Sequence, residues 1–417
     1  MAENKAIVEQ SFHIEGIKVG TIQKLILALQ HLVAMFGATV LVPILTGLDI
    51  SVGLVCAGIG TLIFHLCTKR KVPVFLGSSF AFIPVIIAVG EQYGDLRFAQ
   101  GGIVVAGFVY VLISLLVKAV GVEKITKYFP SQVIGPMIMV IGFNLIPTAW
   151  SMASNNFAVA FITLGIAVAI SQLGKGFFKQ LAIMIAVIIG YSISLYFNIV
   201  DTTLITEAAW IQVPSFTLPK FDIGAVLMIV PVVLAVFMEH VGDVTTNGTV
   251  VGKNFIEDPG LNRTLLGDGL ATMVAGFLGG PANTTYGENT GVLAITKNYN
   301  PQILRIAAVF AIFLGVIGKI GGVLRSIPVP VMGGISLMLF TMIAYIGIKN
   351  LKDMKVKYTP KNLIIIASIL ILGLGHNVGL NIALPITDKV ALSGLSLAAI
   401  IGVLINRVLY HGEFQKK

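Results

Sequence analysis

The chain has 417 residues, of which 56% are hydrophobic and only 11% charged, with a mean hydropathy of +0.94. Soluble domains are roughly 25% charged, so this composition excludes an ordinary water-soluble fold and points to an all-α polytopic membrane protein. The formal charge of +9 is spread over loops between apolar runs, which argues for membrane orientation and against a nucleic-acid surface.

The first twenty residues, MAENKAIVEQSFHIEGIKVG, are mixed and polar. They lack the basic, apolar and small-residue regions of a secretory signal, so the first span is expected to stay in the protein. A membrane helix needs about 20 apolar residues. Candidate spans fall at 25–46, 51–68, 101–120, 132–150, 157–173, 180–198, 223–242, 264–280, 302–324, 328–347, 362–379 and 390–410. Two further stretches, 74–90 with VFLGSSFAFIPV and 282–296 with PANTTYGENTGVLAI, are too rich in Gly, Ser, Asn, Thr and Pro for a continuous helix.

Irregular backbone at membrane depth is tolerated only where protein or a cavity surrounds it. The two interruptions are the third crossing of an N-terminal half and the third crossing of a C-terminal half. Corresponding breaks point to a binding site at a repeat interface. Counting them gives fourteen crossings, seven per half, and an odd number requires opposite insertion of the halves. With an inside N-terminus, 23 of the 28 Lys and Arg lie on the cytoplasmic side, and Arg97, Lys220, Lys319, Arg325 and Lys389 lie outside, as the positive-inside rule demands. The expected organisation is a cytoplasmic tail (1–22), a first repeat (23–198), an outer linker (199–222) and a second, inverted repeat (223–411), with both termini cytoplasmic.

Four carboxylates, Glu239, Asp243, Asp268 and Glu288, sit in or against the apolar runs. An Asp at a helix centre costs roughly 2.5–3.5 kcal/mol on insertion scales, so each needs a cavity, a partner or a proton. Glu239 and Asp243 are spaced i, i+4 and share a helix face. Two carboxylates one turn apart in low dielectric do not both ionise readily, and a carboxyl that exchanges a proton is what a proton-coupled carrier requires. For Asp243 the alternative is a solvated helix end. Glu288 follows Tyr286 and Gly287, where a ligand can approach the backbone closely and a helix start aims N–H groups into the cavity. Gly77-Ser78-Ser79-Phe80 offers similar donors beside an aromatic face, although the serines also suit close helix packing. Carboxylate acceptors with N–H donors suit a small planar molecule alternating N–H and C=O, such as a nucleobase, and repel an anion. Cys56 and Cys67 read as small apolar residues. No metal cluster, Walker loop or nucleophile elbow appears, so neither a metal, a cofactor nor an enzyme activity is expected.

The blocks LQHLVAMFGATVLVPILTGL (29–48), VPVFLGSSFAFIPVI (72–86), EHVGD (239–243) and NTTYGENTGVLAITK (283–297) resemble the nucleobase–ascorbate transporter family, also called nucleobase:cation symporter-2. The run from Glu288 and Asn289 through Lys297 matches that family's signature. The likeness is greatest to bacterial uracil permeases, which carry Glu at the position of Glu288. It implies two inverted seven-span repeats with strand and helix at the third and tenth crossings. A core domain would hold spans 1–4 and 8–11 (about 23–120 and 223–325), and a gate domain spans 5–7 and 12–14 (about 130–198 and 328–411). It further implies ring N–H bonds to Glu239 and Glu288, main-chain N–H bonds from Phe80 and Gly287 to ring carbonyls, and a pocket shaped by Tyr286. Gln30, His31, Asp243, Asp268 and Asn289 would serve proton coupling or support the site. Studied uracil permeases can carry His where this chain has Asp243, and Asp268 also fits the purine pattern. The expected activity is uracil:proton symport across the cytoplasmic membrane. The alternatives are another nucleobase such as xanthine, or an anion exchanger of the same fold. The implied partners are uracil, protons, the bilayer and a second copy of the chain as a homodimer, without nucleic acid.

Overall fold

The computed structural model describes residues 20–122, 130–380, 382–387 and 390–410. Most of the predicted tail and the basic residues Lys5, Lys18, Lys124, Lys127, Lys389, Lys416 and Lys417 lie outside them. The protein is mostly helical, and among the described residues seven helices are long and apolar enough to cross a membrane, with several shorter apolar helices beside them. It is a multi-pass membrane protein.

The first half comprises α1 (Thr21–Thr46), α2 (Ile50–Cys67), strand β1 (Leu76–Ser78), a 3₁₀ turn (Phe80–Phe82) running into α3 (Ile83–Tyr93), α4 (Arg97–Val120), α5 (Ser131–Ser154), α6 (Phe157–Leu173) and α7 (Ala182–Tyr196). The second comprises α8 (Ile223–Ile229), α9 (Val232–Val251), α10 (Leu261–Leu278), strand β2 (Asn283–Thr285), α11 (Gly287–Thr296), α12 (Pro301–Val316), α13 (Gly318–Arg325), α14 (Val329–Asp353), α15 (Pro360–Leu374), a hairpin of β3 (Ala383–Thr387) and β4 (Val390–Ser393), and α16 (Gly394–Leu409).

Every predicted span contains helix, with three departures. The span expected at 223–242 is kinked at Pro231 and continues to Val251. Proline has no N–H to offer the preceding turn, and the chain passes the kink through Val233 N–H to Val230 O and Leu234 N–H to Pro231 O bonds. Asp243 therefore stands within a helix and not at its end. The span 302–324 breaks at Ile317, which bridges to Ile211 of the linker. The last span is preceded by a strand, and its helix starts at Gly394.

The helix pairs that hold the molecule together join the two halves. α2 packs on α12, α4 on α10, and α5 on α14. Glycines permit the close approach. A Cβ on Gly58 would meet Ala308 O at 2.4 Å, one on Gly107 would meet Gly269 O at 2.7 Å, and one on Gly142 would meet Ala344 N at 2.4 Å. Small residues at helix crossings are the expected solution in lipid, where packing replaces the hydrophobic drive.

The two broken segments meet at the centre. β1 and β2 pair antiparallel, Leu76 opposite Thr285, Gly77 opposite Thr284 and Ser78 opposite Asn283. Backbone N–H groups that a membrane helix would satisfy internally are satisfied here by the other half of the chain. Ser79 N–H extends the ladder to Ala282 O at 2.8 Å, and Tyr286 N–H to Phe75 O at 3.1 Å. Gly77 is required at this crossing, since a Cβ would lie 2.3 Å from the Tyr286 ring and 2.7 Å from Thr39 Oγ1. Gly77→Ala is expected to cost about 1–3 kcal/mol through overpacking and to lower the melting temperature of the purified protein. Gly165→Ala in α6, where nothing lies within 4 Å of the new Cβ, should leave it unchanged or slightly raised.

Candidate functional site

Each strand leads directly into a helix start. β1 turns into the helical segment at Phe80, and β2 leads through Tyr286 into α11 at Gly287. The first N–H groups of a helix have no partner within it, and the two starts sit at either end of one two-stranded crossing. Tyr286 anchors the junction, its Oη donating to Ser78 O at 2.9 Å. Ser78 Oγ donates to Thr39 O of α1 at 3.0 Å. Ser78 and Ser79 are fully buried.

The four carboxylates separate into two kinds. Glu239, Asp243 and Glu288 retain partial exposure, as do Phe80 and, more fully, Gly287. Glu239 interacts electrostatically with Asp243, Glu288 and Asp268. All four lie in the second half of the chain, and Phe80 lies in the first. Glu288 occupies the first turn of α11, a position favourable for a negative charge. Asp243 is tied to the strand crossing, because Thr285 Oγ1 donates to its Oδ2 at 2.8 Å. Asp268, by contrast, has no exposed surface and faces His240 on α9, Nδ1 to Oδ2 3.3 Å.

The supporting residues also divide. Asn289 reaches α1, its Nδ2 2.9 Å from His31 O and 3.2 Å from His31 Nδ1. That contact joins the tenth crossing to the first, and both residues are buried. Asn247 of α9 donates to Thr290 Oγ1 and to Pro73 O, each at 3.1 Å, tying α9 to both broken segments. Gln30 is adjacent to His31, but its buried Oε1 has no hydrogen-bond partner. Three residues went unforeseen. Phe340 of α14 meets Phe80 edge to face at 6.2 Å, Thr285 bonds Asp243, and His240 pairs with Asp268. His240 directly follows Glu239 in the quoted block EHVGD, and that adjacency was its only signal.

A cavity of about 750 Å³ lies elsewhere, lined among others by Pro84, Glu91, Asn144, His376, Asn377 and Ser396. No predicted site residue lines it. It lies between α3 and the segments around α5, α15 and α16, and none of the four carboxylates lines it. Among the described residues no group of three or more His, Cys, Asp or Glu could hold a metal ion.

Residues 22–382 match the model of the xanthine/uracil permeases, described as Permease family. The chain belongs to the xanthine/uracil permease family. It is 42% identical over 403 residues to the uracil permease of Bacillus caldolyticus, covering 93% of this chain and 92% of the relative. It is 40% identical over 396 residues to the uracil permease of Escherichia coli K12, covering 92% and 90%. This permease also shares its fold with the transmembrane domain of the cyanobacterial bicarbonate transporter BicA, at TM-score 0.63 and 14% identity over 94% of this chain and 98% of that one. A second likeness is to the murine anion transporter Slc26a9 in its inward-facing state, at TM-score 0.72 and 10% identity over 97% and 71%. At such identities the likeness concerns the fold alone.

The Thr285–Asp243 bond generates a test. Thr285→Val preserves shape and leaves the partly buried Asp243 acceptor short of a donor, a loss of about 1 kcal/mol. The variant should melt earlier in detergent, while Thr285→Ser should melt close to wild type.

Proposed function

We propose that this permease is a uracil:proton symporter of the cytoplasmic membrane, importing the base by alternating access. The observation that carries the reading is the pair Glu239 and Glu288. Both lie in the second half, on α9 and in the first turn of α11, stay partly exposed, as do Gly287 and Phe80 of the first half, and occur in a chain about 40% identical to uracil permeases. Carboxylates accept from the two ring N–H groups of uracil, and main-chain N–H groups at Phe80 and Gly287 donate to its carbonyl oxygens. The Phe80 ring covers one face, and Tyr286 shapes the pocket floor. Asp243, His31, Gln30, Asn289 and Asp268 act in proton coupling or hold these groups in place.

The architecture that fits is fourteen crossings in two inverted seven-span repeats, with both termini cytoplasmic. A two-fold exchange of the halves turns the second and eleventh crossings into the ninth and fourth, and the packing of α2 on α12 and of α4 on α10 supports it. The division into a core (about 23–120 and 223–325) and a gate (about 130–198 and 328–411) is supported by α14 and α15 packing on α5, and α6 on α7 and α14. A homodimer through the gate domain completes the reading.

A second reading, a carrier for another base such as xanthine, rests on Asp243 standing where studied uracil permeases can carry His. Competition of labelled uracil uptake by a panel of bases and anions separates the readings. Inhibition by uracil alone supports the first, stronger inhibition by xanthine the second, and inhibition by sulfate or bicarbonate an anion exchanger.

Glu288→Gln keeps size and one acceptor but turns an NH₂ toward ligand donors. Uracil affinity is expected to weaken by about 1.5–3 kcal/mol, the contribution of a charge-assisted bond, in a folded protein. Unchanged affinity removes Glu288 from the site. Wild-type uptake should rise as external pH falls and collapse with a protonophore. Glu239→Gln should abolish accumulation while retaining some binding, because the amide imitates the protonated acid. Accumulation that follows a sodium gradient and ignores pH contradicts the coupling.

A further inference from the structure

We propose that the segment 208–223 between the two halves is a membrane-interface strap, its backbone fastened to the ends of four helices and its apolar side chains inserted into the adjoining lipid leaflet. The inference needs only that the chain spans a membrane and stands apart from the question of substrate. The run AAWIQVPSFTLP (208–219) carries no charged residue. Trp210, Ile211, Val213 and Leu218 are each 75–78% exposed, and Phe221 and Ile223 are exposed after them. Large apolar side chains gathered on a surface mark an interaction site. In a loop that adjoins the bilayer, the partner of matching chemistry is lipid.

An extended segment exposes its backbone polar groups, and in an apolar setting each needs a partner. The strap finds partners on the helix ends. Gln212 N–H donates to Val316 O at the end of α12, at 2.9 Å, and Gly318 N–H of α13 donates to Trp210 O at 3.1 Å. Thr217 N–H donates to Leu278 O at the end of α10, and Lys220 N–H to Arg97 O at the start of α4. Gln100 of α4 adds a side-chain bond, its Nε2 2.8 Å from Thr217 Oγ1. Glycine is needed where the strap crosses, because a Cβ on Gly101 would collide with Lys220 O and one on Gly318 with Ala209 O. The backbone of the strap is thus bound inward, and its apolar side chains are left outward.

Helix length sets the depth of the strap. α10 has 18 residues and α12 has 16, so at about 1.5 Å per residue they are about 27 Å and about 24 Å long. The hydrocarbon core of a bilayer is about 30 Å thick. α10 starts beside Arg263 and α12 beside Gln302 and Arg305, polar groups that keep those ends at the opposite boundary. The ends that carry the strap therefore stop within the near boundary and not above it. Phe277 and Phe313, each within one turn of those ends, are exposed on the spanning helices, and the strap's side chains continue that lipid-facing surface. Lys319 Nζ stands 5.8 Å from the centre of the Trp210 ring, and Lys220 Nζ 5.6 Å from that of Phe98. Aromatic rings with lysines beside them are the anchors found at headgroup level.

The test is tryptophan fluorescence of the full chain in nanodiscs. The chain has two tryptophans, so Trp150→Phe leaves Trp210 as the emitter. Trp210 should lose most of its emission to lipids brominated near the headgroup, less to lipids brominated near the chain end, and little to aqueous iodide. Strong quenching by iodide with none by brominated lipid overturns the inference, for the strap then faces water. Emission that neither quencher reaches also overturns it, because a second copy of the chain then covers the surface. If Trp150→Phe does not fold, hydroxyl-radical labelling of the wild type, in nanodiscs holding one copy, decides. Trp210 and Phe221 should label far less than the exposed Tyr358 between α14 and α15, and equal labelling overturns the inference.

Discussion

The structure depends on how a membrane protein can afford broken backbone at its centre. An N–H or C=O group without a partner in lipid costs several kcal/mol, and a strand exposes a row of them. Here the strand from one half is the partner of the strand from the other. The Leu76–Ser78 and Asn283–Thr285 ladder satisfies both. Its side chains bind it to α1 through Ser78 and to α9 through Thr285. Because neither strand can be satisfied alone, the two halves must assemble before the centre of the molecule is stable. The same crossing places one helix start at each of its ends.

The charges follow from that geometry. Glu288 is placed by the helix start that the strand β2 produces, and Asp243 is oriented by a hydroxyl of the same strand. Glu239 lies one turn from Asp243 on α9, where it shares the exposed face. Asp268 has the same chemistry but a different environment, because the glycine-lined packing of α10 on α4 leaves it no water. Exposure therefore sorts four carboxylates that look alike in the sequence into three that can meet a ligand and one that needs an internal partner. Acidic residues at this density argue against an anionic ligand at the candidate site, although the fold is shared with bicarbonate and anion transporters.

Much of this was legible in the sequence, for identifiable reasons. Gly, Pro and Asn at positions 76–84 and 281–291 are incompatible with a long apolar helix, so the breaks and their symmetry could be read directly. The signature around Glu288 and the block EHVGD supplied the residues of the candidate site. The register between the strands was not legible, because three-residue strands carry no periodicity and their pairing is set by helices more than two hundred residues apart in the chain. The end of α9 was misplaced because TTNGTVV reads as polar loop, while in the fold Asn247 Nδ2 donates to Thr290 Oγ1 and Pro73 O. The kink was visible as Pro231 and was passed over within an otherwise continuous apolar run. His240 escaped notice because a lone histidine on a helix reads as packing. Only the position of Asp268 on a neighbouring helix reveals its partner.

The central claim is that substrate binds at Glu239 and Glu288, against Phe80 of the first half, and not in the cavity lined by Glu91, Asn144 and His376. A density map of the purified protein with uracil tests it most directly. The account predicts a planar density within hydrogen-bond distance of both Glu239 and Glu288, its face against Phe80 and its oxygens toward the backbone N–H groups of Phe80 and Gly287. Density confined to the cavity lined by Glu91, Asn144 and His376, with the two glutamates unoccupied, would contradict it.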